Sequence, residues 1–248
     1  MLARIAMRMA LKIKRVNLRI KDNLHRATIA GFQILLQDFR IHKICKIILE
    51  TVQTLFDIDA FILAGGASRR MGSDKSRLLV GGQTFIERIA GTLLQLTDSV
   101  TIVGPTAIPP LQNVVDVYAQ WGALGGLHAA LDACRREWTI VVACDLPFVT
   151  SELFLFLAGV RLDHHAVVPF QADARPQPLA AIYRKHPCLE RATELIDAGR
   201  RRPVDLLEAV NTRWVAFDEI KNLAQAEKFF VNINTPEDYD EAIRGYSR

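Results

Sequence analysis

Between Ile58 and Pro147 the chain switches repeatedly between short apolar, β-branched runs and stretches of helical spacing, and this alternation restricts the fold more than any other feature. Ile58-Asp-Ala-Phe-Ile-Leu63 ends in Gly65-Gly66 and predicts a buried strand opening into a loop. Thr84 to Leu96 predicts a helix with Phe85, Ile89 and Leu93 on one face, and Ser99–Val103 a strand closed by Gly104-Pro105. Val114-Val115 predicts a strand end before Asp116, followed by a loop carrying Gly122, Gly125 and Gly126 and a helix over Leu127–Cys134. Trp138–Cys144, the most apolar strand, runs into Asp145-Leu146-Pro147. The expected fold is α/β, a three-layer α/β/α sandwich around a mostly parallel, Rossmann-like sheet. Such sheets bind ligands outside the carboxyl ends of their strands, where Gly65-Gly66, Asp116 and Asp145 all fall.

Beyond Pro147 the alternation loosens. Ala166–Phe170 and Leu179–Arg184 read as strands flanking a polar turn, Gln171–Gln177. Cys188–Ala198 reads as a helix, and Arg213–Phe217 and Phe229–Ile233 as further strands. A closing helix over Pro236–Arg244 has Thr235 as its cap and proline in its first position.

Charge divides the chain in two. Residues 1–56 hold 11 Lys and Arg against 3 Asp and Glu, whereas the remainder holds 20 against 24. Any argument for nucleic acid would rest on the first segment alone, and none is expected as a partner. Three readings of residues 1–56 stand side by side: a helical or partly disordered basic extension, an upstream stretch with Met7 and Met9 as other starts, or a membrane-surface arm. The chemistry belongs to residues 57–248. No apolar run approaches the roughly 18 residues of a spanning helix, so no stable membrane association is expected. Cys45, Cys134, Cys144 and Cys188 show neither metal-ligand nor redox spacing, which fits a reducing cytoplasm.

The loop Leu63-Ala-Gly-Gly-Ala-Ser-Arg-Arg-Met-Gly-Ser-Asp-Lys75 carries most of the chemical information. Glycines at 65, 66 and 72 let backbone N–H groups approach an anion. Arg69, Arg70, Lys75 and Arg77 supply positive charge against Asp74. A basic, glycine-rich loop after a buried strand suits a polyphosphate. It is not a Walker A loop, because Asp74 precedes Lys75, and not a dinucleotide fingerprint, because Ser68 stands where glycine is needed. Glu87 lies at about the right distance for a ribose carboxylate but falls inside the predicted helix.

Leu-Ala-Gly-Gly-x-Ser-x-Arg-Met-Gly-x-Asp-Lys resembles the signature loop of the molybdenum cofactor guanylyltransferase family, among the glycosyltransferase-A-like nucleotidyltransferases. Asp116 with Gly122-Ala-Leu-Gly-Gly126 is similar to the family's Asp and Gly-Pro-Leu-x-Gly loop, with Ala123 replacing proline. Cys144-Asp-Leu-Pro147 resembles its Cys-Asp-x-Pro turn, and Val231-Asn-Ile-Asn-Thr-Pro-Glu-Asp238 its C-terminal motif. The resemblance spans about residues 58 to 246 and leaves residues 1–56 without a counterpart.

The resemblance implies transfer of GMP from GTP to the terminal phosphate of molybdopterin, with Mg²⁺ as cofactor. Lys75, Arg70 and the loop N–H groups would hold the triphosphate, and Leu63, Ala64, Gly65 and Gly66 would meet guanine through their backbone. Asp116 would contact the nucleotide and Asp145 would ligate Mg²⁺, which favours carboxylate, phosphate and water oxygens. Asn232 and Asn234 would orient metal or phosphate, or shape the turn before Pro236. Gln177, with Arg175, matches the acceptor-side segment. A family asparagine falls at Gly104, so one nucleotide contact is absent or differently supplied. Arg200, Arg201 and Arg202 either face the acidic acceptor or form a solvated helix end. Cys144 reads as core packing, and His164-His165 has no carboxylate or cysteine spaced to complete a metal site. The rival readings are a sister enzyme using CTP or acting on a sugar or polyol phosphate, and a non-catalytic nucleotide-binding protein. Gly66 in Leu-Ala-Gly-Gly favours guanine, because the cytidylyl relatives generally carry Ala-Ala-Gly there.

Overall fold

The first strand, β1 (Ile58–Leu63), is buried along its whole length, as a strand covered on both faces must be. The computed structural model of the chain describes residues 58–65, 79–105, 108–118, 121–233, 235 and 237–240. After β1 come a two-stranded ribbon, β2 (Leu79–Val80) and β3 (Gln83–Thr84), helix α1 (Phe85–Leu93), and strands β4 (Val100–Val103) and β5 (Gln112–Val114). Helix α2 (Gly122–Ala133), β6 (Trp138–Ala143), α3 (Ser151–Gly159), β7 (Ala166–Pro169) and β8 (Ala180–Arg184) follow. The order closes with α4 (Lys185–Asp197), α5 (Pro203–Ala209), β9 (Thr212–Val215), α6 (Phe217–Ile220) and a 3₁₀ turn over Ala226–Lys228.

The main sheet has seven strands in the order β5-β4-β1-β6-β8-β7-β9. All run parallel except β8, which is antiparallel to both β6 and β7. Phe61 and Leu63 share one face with Val103, Val141, Val168 and Tyr183, covered by buried residues of α2, α4 and α5. Alternation along β1 sends Ala60 and Ile62 to the opposite face. There α1 packs on β1, and α3 packs on β7 and β8. The expected three-layer, mostly parallel fold is the observed one.

Local chemistry explains the boundaries. Thr84 and Glu87 form a reciprocal capping box at α1, so Glu87 is a helix-start residue rather than a ribose ligand. Asp59, a carboxylate only 3% exposed, accepts from the backbone N–H groups of Arg135 (2.6 Å) and Arg136 (3.1 Å) at the amino end of the sheet. A buried charge needs such partners, and its position at that end makes it structural.

Several expectations need correction. Gly122, Gly125 and Gly126 are not in a loop but in the first turns of α2. Glycine disfavours helix by about 1 kcal/mol, yet here tertiary packing requires it: a Cβ on Gly125 would lie 2.4 Å from the Tyr118 carbonyl oxygen. Phe229–Ile233 forms a turn and an irregular stretch rather than a strand, and Ile233 donates its N–H to the Asp145 carbonyl instead of a strand ladder. The strand read at Arg213–Phe217 is β9, Thr212–Val215, with Phe217 beginning a helix. The strand before Asp116 is Gln112–Val114, so Val115 lies beyond it. Residues 237–240 are helical, and Thr235 and Asp238 cap them reciprocally at 2.9 and 3.1 Å.

Candidate active site at the ends of β1 and β6

The chain runs outward from β1 to β4 and β5, then returns through α2 to β6 on the other side of β1. This reversal opens a crevice at the carboxyl ends of β1 and β6. Leu63 and Ala143 are in register, and the Cys144 N–H donates to the Leu63 carbonyl at 3.1 Å. Neighbouring strands lie about 4.8 Å apart, so Asp145 and the start of the glycine-rich loop leave the sheet side by side. On the other flank the Ala64 N–H donates to the Val103 carbonyl at 2.8 Å. Gly65 is exposed, and a Cβ there would meet nothing within 4 Å, which leaves its backbone open to a ligand.

Asp145 is half-buried and held from two segments distant in sequence. The Asn232 amide, turned with its nitrogen toward the carboxylate as the hydrogen-bond network requires, donates to Oδ2 at 2.8 Å and Oδ1 at 3.0 Å. The Ile233 N–H donates to the Asp145 carbonyl at 3.2 Å. From α1, Arg88 Nε donates to the Pro147 carbonyl at 2.8 Å, and its guanidinium lies over the Phe148 ring at 5.8 Å. A carboxylate can accept hydrogen bonds or ligate a cation through either of its two oxygens. Among the described residues no group of three or more His, Cys, Asp or Glu could form a protein cage for a metal. The donor set fits Mg²⁺ held by one carboxylate, with phosphate and water filling the other positions.

Asp116 follows edge strand β5, two strands from β1 or about 10 Å across the sheet. Its Oδ1 accepts the Tyr118 N–H at 2.8 Å, forming an Asx turn. Burial raises the Asp116 carboxyl above its ordinary range, against the lowering effects of that hydrogen bond and of His128. The Tyr118 and His128 rings meet edge-on at 5.0 Å, and His128 Nε2 lies 3.1 Å from Thr193 Oγ1. At Gly104 a Cβ would come within 3.1 Å of the Ala64 carbonyl carbon. The adjacent strand instead brings a carboxamide, with Asn113 Nδ2 donating to the Gly104 carbonyl at 3.2 Å.

On the β8 side, the Leu179 carbonyl accepts the Ala143 N–H at 2.8 Å, and the Gln177 N–H donates to Pro169 at 2.9 Å. Gln177 therefore lies on the same sheet edge as Asp145. Arg175 is exposed and pairs with Asp173 at 2.6 Å. The arginine run after α4 is exposed, and its side chains have partners. Arg200 and Arg202 both bind the buried Asp205 carboxylate, at 3.0 and 2.8 Å. Arg201 lies over the Trp121 ring at 4.7 Å, beside the start of α2.

Hydrogen bonds from Arg200 and then Arg202 hold the Asp205 carboxyl down to about 2. A depressed carboxyl stabilises the fold fully above its unfolded value of about 3.9, and that contribution disappears as pH falls toward the folded value. Thermal unfolding from about pH 5 down to about pH 2 should therefore show a smaller loss of midpoint for Asp205→Asn than for the parent chain.

Gly66, Arg69, Arg70, Lys75, Arg77, Asn234, Cys45 and residues 1–56 lie outside the described residues. Cys134, Cys144 and Cys188 are free thiols, and burial pushes Cys134 and Cys188 up to about 12, which makes both poor nucleophiles. Sequence reading missed Arg88 and Tyr239. Arg88 binds a partner 59 residues away and Tyr239 one 160 residues away, separations that no local pattern reveals.

No helix among the described residues is long and apolar enough to cross a membrane. Residues 60–212 match the model of the MobA-like NTP transferase domain. The chain is 36% identical to a Pelotomaculum thermopropionicum protein named "Probable molybdenum cofactor guanylyltransferase", over 73% of this chain and 89% of that protein. Its structure resembles that of molybdopterin-guanine dinucleotide biosynthesis protein A from Archaeoglobus fulgidus, with a TM-score of 0.66 and 25% identity, covering 76% of this chain and 98% of that one. A more distant likeness, in fold alone, is to 2-C-methyl-D-erythritol 4-phosphate cytidylyltransferase from Thermus thermophilus, with a TM-score of 0.56, 19% identity, and 77% and 98% coverage. The carboxyl-edge crevice and these likenesses point the same way: the chain belongs to the MobA-like NTP transferase family.

Proposed function

We propose that this chain transfers GMP from GTP to the terminal phosphate of molybdopterin in molybdenum cofactor biosynthesis, acting in the cytoplasm. The observation that carries this reading is the junction of β1 and β6, where the start of the glycine-rich loop and the anchored Asp145 leave adjacent strands. The guanylyltransferase name of its relatives supports the donor and the acceptor. Residues 57–248 form the catalytic domain in this reading, with residues 1–56 as a basic extension.

An oxygen of the acceptor phosphate attacks the α-phosphorus of GTP. One P–O bond forms as the bridge between the α- and β-phosphates breaks, and pyrophosphate leaves. Such transfers depend on in-line positioning and charge neutralisation more than on covalent help from the protein. The backbone of Leu63, Ala64, Gly65 and Gly66 receives guanine, and Asp116 contacts the nucleotide from the outer strands. Lys75 and Arg70 hold the triphosphate, while Asn234 and Gln177 serve the phosphate and acceptor sides. Asp145 holds Mg²⁺, and Asn232 fixes that carboxylate's orientation. Mg²⁺, when bound, supplies neutralisation of the triphosphate charge.

The test incubates the full chain with Mg²⁺, molybdopterin and each of the four triphosphates in turn and measures pyrophosphate. Release is expected with GTP alone. Equal release with CTP would overturn the donor assignment, and no release with any triphosphate would overturn the reaction.

A further inference from the structure

The C-terminal segment that supplies Asn232 to Asp145 is fixed a second time, by a small apolar core beside that contact. Ile233 is fully buried in a small core of its own with Val80, Phe85 and Phe148, against which Tyr239 packs. These residues come from the ribbon, the start of α1, the turn after Asp145 and the C-terminal segment. The Tyr239 hydroxyl donates to the Leu79 carbonyl at 2.8 Å, and its ring lies 6.4 Å from that of Phe85. Thr235 and Asp238, between Ile233 and Tyr239, cap each other reciprocally at 2.9 and 3.1 Å. Asn232 itself is exposed. Its hold on Asp145 depends on the segment being kept in place, and each ordered residue of a surface segment opposes that through lost conformational entropy.

We propose that Tyr239 is a positioning residue for the transfer reaction: its hydrogen bond to Leu79 fixes the C-terminal segment so that Asn232 stays on Asp145. The inference rests on the role proposed above for Asp145. It extends that role to a tyrosine that touches neither substrate nor metal. The ribbon that begins at Leu79 and the turn that carries Asp145 then share one brace, and loosening it affects the metal side of the site before the acceptor side.

Tyr239→Phe in the full chain removes the hydroxyl and keeps the ring on Phe85. Amide hydrogen exchange should speed up at Ile233, whose N–H binds the Asp145 carbonyl, by about three- to tenfold, the range one neutral hydrogen bond supports. Exchange in β6 should not change. In steady-state transfer, kcat should fall and half-saturating Mg²⁺ should rise by a similar factor, with the KM for molybdopterin unmoved. Parent-like exchange at Ile233 together with a parent-like Mg²⁺ response would overturn the proposal. So would a lower unfolding midpoint with unchanged kinetic constants, which would assign Tyr239 to packing alone. Full turnover by Asp145→Ala would instead reject the reading of the site while leaving the exchange result intact.

Discussion

Asp145→Ala is expected to lower transfer by about a thousandfold, the scale on which a single preorganised electrostatic contact acts. The carboxylate stands beyond the end of β6, outside the apolar core, and its loss leaves the exposed Asn232 amide able to bind water instead. The thermal midpoint should therefore move by only a few degrees. Pyrophosphate release with GTP and molybdopterin, measured beside thermal unfolding, separates the two effects. Unaltered turnover would remove Asp145 from the metal site, and a collapse of the midpoint would place it in the folding core.

The second large effect is expected at Gly125, through packing rather than charge. A Cβ there would lie 2.4 Å from the Tyr118 carbonyl oxygen and 3.1 Å from its carbonyl carbon, so backbone must shift. Gly125→Ala should cost about 1–3 kcal/mol in denaturant unfolding, the usual range for overpacking. Because the Tyr118 N–H binds Asp116, the same shift should move that carboxylate and raise the KM for GTP. Gly126 is the internal control. A Cβ on Gly126 would meet only the tip of Leu63, at 3.4 Å. Gly126→Ala should be nearly neutral, or stabilising by up to about 1 kcal/mol through helix propensity. Equal destabilisation by both substitutions would show that helix glycines in general, rather than the Tyr118 contact, set the effect.

The two halves of the chain were legible to different degrees, for physical reasons. From Ile58 to Pro147, β1, β4 and β6 are short, largely apolar runs punctuated by glycine, proline or aspartate, and the parallel sheet follows from that rhythm. Asp116 and Asp145 were readable as candidates because strand ends have a fixed relation to the ligand edge of such sheets. Helix α3 escaped notice because Leu153 to Ala158 is apolar almost all round, which leaves no helical period to detect. The start of α2 was hidden by its glycines: Gly122 has a positive φ, and Gly125 is set by its close contact with Tyr118. Phe229–Ile233 has strand-like composition, but Ile233 is buried in the small core beside Asp145 rather than paired in the sheet. Arg88 and Tyr239 could not be inferred, since each acts on a backbone carbonyl brought near by the tertiary fold.

The central claim is that a single crevice, at the carboxyl ends of β1 and β6, receives both nucleotide and metal. A crystal structure of the full chain with GTP and Mg²⁺ tests it most directly. The expected result is a metal about 2.1 Å from an Asp145 carboxylate oxygen, with guanine against the backbone of Leu63, Ala64 and Gly65. A triphosphate bound elsewhere on the molecule, with Asp145 touching neither metal nor phosphate, would contradict it.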